Sequence, residues 1–226
     1  MRPVVGRRGA AVAGVAGTSL AVTVRTESPS ALRRACAASI DRQLAALWAK
    51  DPYTARHSQR VEVGAGRIAE HVGLAAADIE TIRIAAVLHD VGKIAIPTSI
   101  LTKPGPLTGE EFEVMKQHSA IGAAMLEPIR MLRRLLPLVL HHHEWYDGSG
   151  YPMGLCAEEI PFGARIIQAA DCIDAMISPR SYKRGYSIEK VISELEQGSG
   201  IQFDPSVAAA ATRWLRHHPS QVVSLY

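Results

Sequence analysis

Apolar and polar residues nowhere alternate with a period of two for long enough to suggest a sheet, and no internal repeat recurs, which removes sheet folds and solenoids. Aromatic residues are scarce at 5%, and with abundant Ala and Leu this composition leans towards helices. The three cysteines, Cys36, Cys156 and Cys172, are odd in number and widely spaced. That argues against a disulfide framework and a thiolate zinc site, and it fits a reducing cytosol. No apolar run reaches the ~20 residues that a membrane span needs. The net charge of +3 is mild and forms no clustered basic face, so a nucleic-acid polymer is not the expected partner. What remains is a chain of 226 residues able to bury one good core.

Arg2, Arg7 and Arg8 precede a small apolar stretch, Ala10 to Val24, which superficially looks like an export signal. It is poor in Leu, Ile and Phe, so residues 1–30 are read as a disordered leader. Leu32, Cys36, Ile40, Leu44 and Leu47 recur at helical spacing, giving an amphipathic lead-in helix over 31–50. Further helices are predicted from Tyr53 to Val72, closed by Gly73, and from Ala76 to His89. A capping box at Thr108 and Glu111 opens another to about His118. Others cover Ile121 to Leu126, Leu132 to His143 with a bend at Pro137, Ala164 to Ile177, and Glu189 to Glu196. The fold class is all-α.

Chemistry concentrates at His89-Asp90-Val91-Gly92-Lys93, behind the apolar run Ile84 to Leu88. An adjacent His and Asp cannot share one helix face, yet at a helix end both can reach a common ion. His57 lies mid-helix, His118 ends the helix after a Pro-Gly loop, His142 and His143 end another, and Asp171 stands among Ala and Ile. Each alone has an ordinary structural explanation, as a satisfied core histidine or a capping carboxylate. Together they supply borderline nitrogen and hard oxygen donors without thiolate, a mixture suited to iron, manganese or zinc and to hydrolysis.

Motifs continue on both sides. They are His57-Ser58-Gln59-Arg60-Val61, Leu88 to Ile94, Ile100 to Leu107, Met115-Lys116-Gln117-His118, His142-His143-Glu144, Asp147 to Pro152, Ala164-Arg165-Ile166-Ile167, Ala170-Asp171 and Gly198 to Pro205. In this order they closely resemble the HD-GYP family, a branch of the HD phosphohydrolase superfamily, over residues 51–215. The resemblance implies an HD-domain-like helical bundle with a C-terminal helical extension, leaving 216–226 as a tail. It implies a metal-dependent phosphodiesterase that hydrolyses cyclic di-GMP, or a related cyclic dinucleotide, to linear pGpG or on to GMP through a metal-bridging hydroxide. The implied ligands of two divalent ions are His57, His89, Asp90, His118, His142, His143 and Asp171, with Asp90 bridging. Iron or manganese is expected, and zinc, nickel and magnesium are open alternatives. Lys93 is expected on the phosphate, and Asp174, Arg180, Lys183 and Tyr151 as further substrate contacts.

Gly150-Tyr151-Pro152 gives the family its name, although none of the three is a good ligand or base. A loop that shapes the pocket, or docks a diguanylate cyclase or other signalling partner, is the expected role. Tyr53 stands where one subgroup has a Glu ligand, so a third ion is not expected. Ser178-Pro179-Arg180-Ser181-Tyr182 departs from the family's usual order and could shift Arg180. Alternatives are a catalytically weak signalling module and an HD hydrolase of another phosphoester. Regulation is expected through the lead-in helix, a partner or a homodimer.

Overall fold

The computed structural model describes residues 45, 52–178, 185–223 and 225. The leader, the lead-in helix apart from residue 45, Arg180, Lys183 and the side chain of Tyr53 lie outside that description. Among the described residues every named element is helical, as the periodicity predicts. Helix α1 (Pro52–Val72) buries a stripe of His57, Val61, Ala65, Ile68 and Ala69, spaced three and four apart so that they share one face. Gly73, at φ +90°, ends it in a left-handed turn in which Gly73 N–H bonds to Glu70 O and Leu74 N–H to Ala69 O.

Helix α2 (Ala76–Leu88) packs on α1 and delivers His89 at its C-terminus, and a tight turn of 3-10 helix follows over Val91–Ala95. A short α3 (Thr98–Leu101) leads to α4 (Gly109–Leu126), whose capping box is formed by Thr108 and Glu111 as expected. Here the sequence reading needs correction, because α4 does not stop near His118. Ser119 is buried with its hydroxyl donated to Lys116 O, so it is satisfied within the helix and the chain continues to Leu126.

The helix expected from Leu132 to His143 is also shorter. A 3-10 turn spans Arg130–Leu132, and α5 (Leu136–Leu140) carries Pro137 in its first turn instead of bending there. Proline suits a first turn, where its missing N–H has no partner to lose. Helices α6 (Phe162–Ile177), α7 (Ile188–Gln197), α8 (Pro205–His217) and α9 (Pro219–Val223) complete the bundle. The stretch read as a tail is therefore partly helical, and Val222 is fully buried in the core.

Helix α1 is the hub, packing against α2, α6 and α8, and the core joins Ile68, Leu88, Ile167, Ile173, Trp214 and Leu215. Asp204 fixes the start of α8, accepting from Ser206 N and Val207 N while its other oxygen pairs with Arg165. Burial pushes the Asp204 carboxyl up, but the bonds from Ser206 and Arg165 overcome it and hold the carboxyl below its usual value. A depressed carboxyl stabilises the fold above its unfolded pKa and loses that contribution as pH falls through the folded value. Urea unfolding of Asp204→Asn at pH 7 is expected to show a loss of about 1–2 kcal/mol from the charged pairing with Arg165, since Asn still caps the helix. The gap to wild type should narrow as the pH approaches 3, and a gap that is constant with pH would contradict this account.

Candidate metal centre

The segments that carry the expected ligands converge on one site. His89 is still α-helical, while Asp90 has φ −98° and ψ 5°, and this abrupt change of course lets two adjacent side chains point into the same space. Gly92 makes the turn possible. A Cβ there would lie 2.0 Å from His118 O and 2.5 Å from Gly122 N, so the turn rests directly on the backbone of α4 beside His118. His57 comes from α1, His142 and His143 follow α5, and Asp171 comes from α6.

Donor atoms form two groups with one shared member. His57, His89 and Asp90 make one group, and Asp90, His118, His142 and His143 make the other, each with its donor atoms within 4.8 Å of one another. Nε2 of His57 is 3.3 Å from Nε2 of His89, 3.3 Å from Asp171 Oδ1 and 3.6 Å from Asp90 Oδ2. Nε2 of His118 is 3.4 Å from Nε2 of His142 and 3.4 Å from Asp90 Oδ1. All seven expected ligands are thus brought to one site.

Hydrogen bonds decide which nitrogens carry protons. Nδ1 of His89 meets Ala86 O at 2.6 Å, Nδ1 of His118 meets Met115 O at 2.7 Å, and Nδ1 of His142 meets Val139 O at 2.7 Å. A carbonyl only accepts, so each Nδ1 donates. Burial pushes these three imidazoles down to about 4, which keeps them neutral near pH 7 and leaves a bare lone pair on each Nε2. Burial also holds His143 well below the ordinary histidine range. Two bare nitrogens facing each other at 3.4 Å cannot bond to one another, and a metal cation can accept both lone pairs.

Asp90 is 1% exposed, and its Oδ1 has no hydrogen-bond partner. Burial pushes its carboxyl up, but the Lys93 ammonium, joined by the neighbouring imidazoles wherever the pH is low enough to protonate them, outweighs that and holds it well below the usual carboxylate range. Its other oxygen accepts from Lys93 Nζ at 2.6 Å. An ionised, buried carboxylate with an open oxygen among unprotonated imidazoles fits a divalent-ion site.

Asp174, expected as a substrate contact, stands behind His57. It faces the same way as Asp171, but it is fully buried and its oxygens are taken by His57 Nδ1 at 2.7 Å, by Arg60 Nε and Nη2, and by Ser178 Oγ. Placed behind His57, it orients the imidazole. Arg60 and Glu144 were not singled out as functional from sequence. Glu144, 1% exposed, accepts Met153 N–H at 2.8 Å and Leu155 N–H at 3.1 Å, tying the loop after Pro152 to the His142-His143 turn. Its place directly after a His pair was the available signal.

A helical bundle that gathers five histidines around one shared aspartate marks a class of HD proteins, and comparison with known proteins agrees. The model of the HD domain family matches residues 43–207. A cyclic di-GMP phosphodiesterase of Thermotoga maritima is 47% identical over 165 residues, covering 71% of this chain and 44% of that protein. The cyclic di-GMP phosphodiesterase response regulator RpfG of Xanthomonas campestris is 41% identical over 177 residues, 77% of this chain and 47% of that protein. The chain therefore spans less than half the length of these curated relatives. Among solved structures, the HD domain of the phosphodiesterase PgpH from L. monocytogenes, in complex with cyclic-di-AMP, aligns with a TM-score of 0.57 at 18% identity, covering 78% of this chain and 96% of that one. This chain belongs to the HD domain family, in its HD-GYP branch.

Gly92→Ala is expected to destabilise the protein by roughly 3 kcal/mol or more, because the new methyl meets backbone and not a flexible side chain. Urea denaturation reads this directly, and a change under ~0.5 kcal/mol would contradict the close approach.

Proposed function

We propose that the chain is a metal-dependent phosphodiesterase that hydrolyses cyclic di-GMP to linear pGpG, or on to GMP. The observation that carries the reading is Asp90, a buried carboxylate shared by two histidine groups, one on each oxygen. Two divalent ions held there, iron or manganese first, would supply Lewis-acid polarisation of a phosphate and an activated water. His57, His89, Asp171 and one oxygen of Asp90 would hold the first. His118, His142, His143 and the other oxygen would hold the second.

The chain's own residues do the rest. Lys93 pairs with Asp90, and its side chain is 23% exposed, so the ammonium borders both the ligand carboxylate and solvent. From there it is assigned to the substrate phosphate, where it offsets charge that grows during displacement. Arg180 and Lys183 are assigned to the second phosphate or a guanine, for which a planar guanidinium suits both uses. The deep burial of the histidines keeps bulk water from competing for their lone pairs.

A related cyclic dinucleotide is the second reading, supported by a 3'3'-cGAMP-specific phosphodiesterase of Vibrio cholerae that is 36% identical over 177 residues, 78% of this chain and 38% of that protein. Pro152 and Met153 lie on the surface beside the site, Met153 at 68% exposure, and we assign them to docking of a signalling partner such as a diguanylate cyclase. No helix among the described residues is long and apolar enough to cross a membrane.

Incubation of the manganese- or iron-loaded protein with cyclic di-GMP, followed by chromatography, is expected to yield pGpG. The absence of product from both cyclic di-GMP and 3'3'-cGAMP would sink the phosphodiesterase reading. Asp90→Ala should lose both ions by elemental analysis and all turnover. Lys93→Ala should keep both ions and lose about 100-fold in kcat, the scale of one electrostatic group aimed at the transition state.

A further inference from the structure

Four of the five ligand histidines share a device that the fifth lacks. His57 is anchored at Nδ1 by Asp174, and His89, His118 and His142 are anchored at Nδ1 by a carbonyl three residues back. Among the described residues nothing hydrogen-bonds the His143 ring. Instead the Tyr151 ring lies against it, with centroids 4.7 Å apart and planes 28° apart. An imidazole free to rotate about its side-chain bonds would lose affinity for its ion, so an unanchored ligand needs some other restraint.

Tyr151 is itself fixed from several directions. Its N–H donates to His143 O at 3.1 Å, and its ring meets Phe112 of α4 edge-on at 6.1 Å. Lys116, two residues before His118, lies 5.6 Å from the Phe112 ring and 5.9 Å from the Tyr151 ring. Gly150 brings the loop in. A Cβ there would sit 2.2 Å from Trp145 N and 2.5 Å from His143 O. On the far side, the Glu144 carboxylate holds Met153 and Leu155. The loop is thus fastened before and after Tyr151, and its ring is pressed onto His143.

We infer that Tyr151 is a positioning residue for His143, its stacked ring doing for that ligand what a hydrogen bond at Nδ1 does for the other four. The inference rests on the two-ion reading above. It assigns the tyrosine of the Gly150-Tyr151-Pro152 loop to the ion held by His118, His142 and His143, and not to the ion at His57.

Manganese titration of the full chain by calorimetry, with elemental analysis, tests this. Tyr151→Leu removes the ring and should weaken one of the two ions by about 10–100-fold, the usual cost of losing a group that orients a ligand. The other ion should be unchanged, and His143→Ala should weaken the same one. Tyr151→Phe keeps the ring and should restore the binding of both ions. The metal-free proteins are compared by circular dichroism, and Tyr151→Met replaces Tyr151→Leu if the latter does not fold. Two manganese ions bound by Tyr151→Leu with wild-type affinity would overturn the inference and leave the two-ion reading intact. Equal losses in Tyr151→Phe and Tyr151→Leu would overturn it in favour of the hydroxyl. Wild-type protein that takes up no second ion would overturn both readings.

Discussion

The structure depends on placing one carboxylate, Asp90, out of water and within reach of three separate helices. Burying an ionised carboxylate is costly unless positive charge compensates it, and Lys93 covers only one of its oxygens. The neighbouring groups are imidazole nitrogens whose protons have been directed outward to Ala86, Met115 and Val139. The site is therefore rich in lone pairs and poor in protons. Cations resolve that imbalance, and because His89, His118 and His142 are neutral, no proton has to leave them before one binds.

The ligands reach this point by two routes of different range. His89, His118 and His142 take their anchors from the backbone of their own helical turn, so their orientation is set wherever the helix forms. His57 instead depends on Asp174, 117 residues away on α6, which Arg60 holds in turn from α1. One half of the site is fixed locally and the other by the packing of α1 on α6.

Much of this was legible in the sequence because it follows from local chemistry. The stripe from His57 to Ile68, the Gly73 cap and the Thr108 capping box each need only a few neighbouring residues to be recognised. The ligand types and their order carried the family resemblance. What could not be read depends on partners distant in sequence. Pro137 can bend a helix or begin one, and only the course of the preceding chain decides which. Ser119 can end a helix or bond back into it. The spacing of Asp174 from Asp171 fixes its face, but its burial against His57 and Arg60 depends on the packing of α1 on α6. The extended course of the chain at Asp204-Pro205 marks a helix start, yet the burial of α9 at Val222 depends on the core it closes.

Two glycines illustrate how a motif can matter without holding a reactive group. Gly92 stands two residues from Asp90, and Gly150 stands one residue from Tyr151. At each, the backbone passes against the backbone carbonyl of a ligand histidine, His118 in one case and His143 in the other, at distances where no Cβ fits. A larger residue would not remove a ligand. It would push apart two segments that must meet for the donor atoms to lie within 4.8 Å of one another. A reading by side-chain chemistry passes over such positions, since glycine offers no donor, acid or base. Their contribution lies in the distance they permit, and a centre built from five separate segments is sensitive to distance before it is sensitive to anything else.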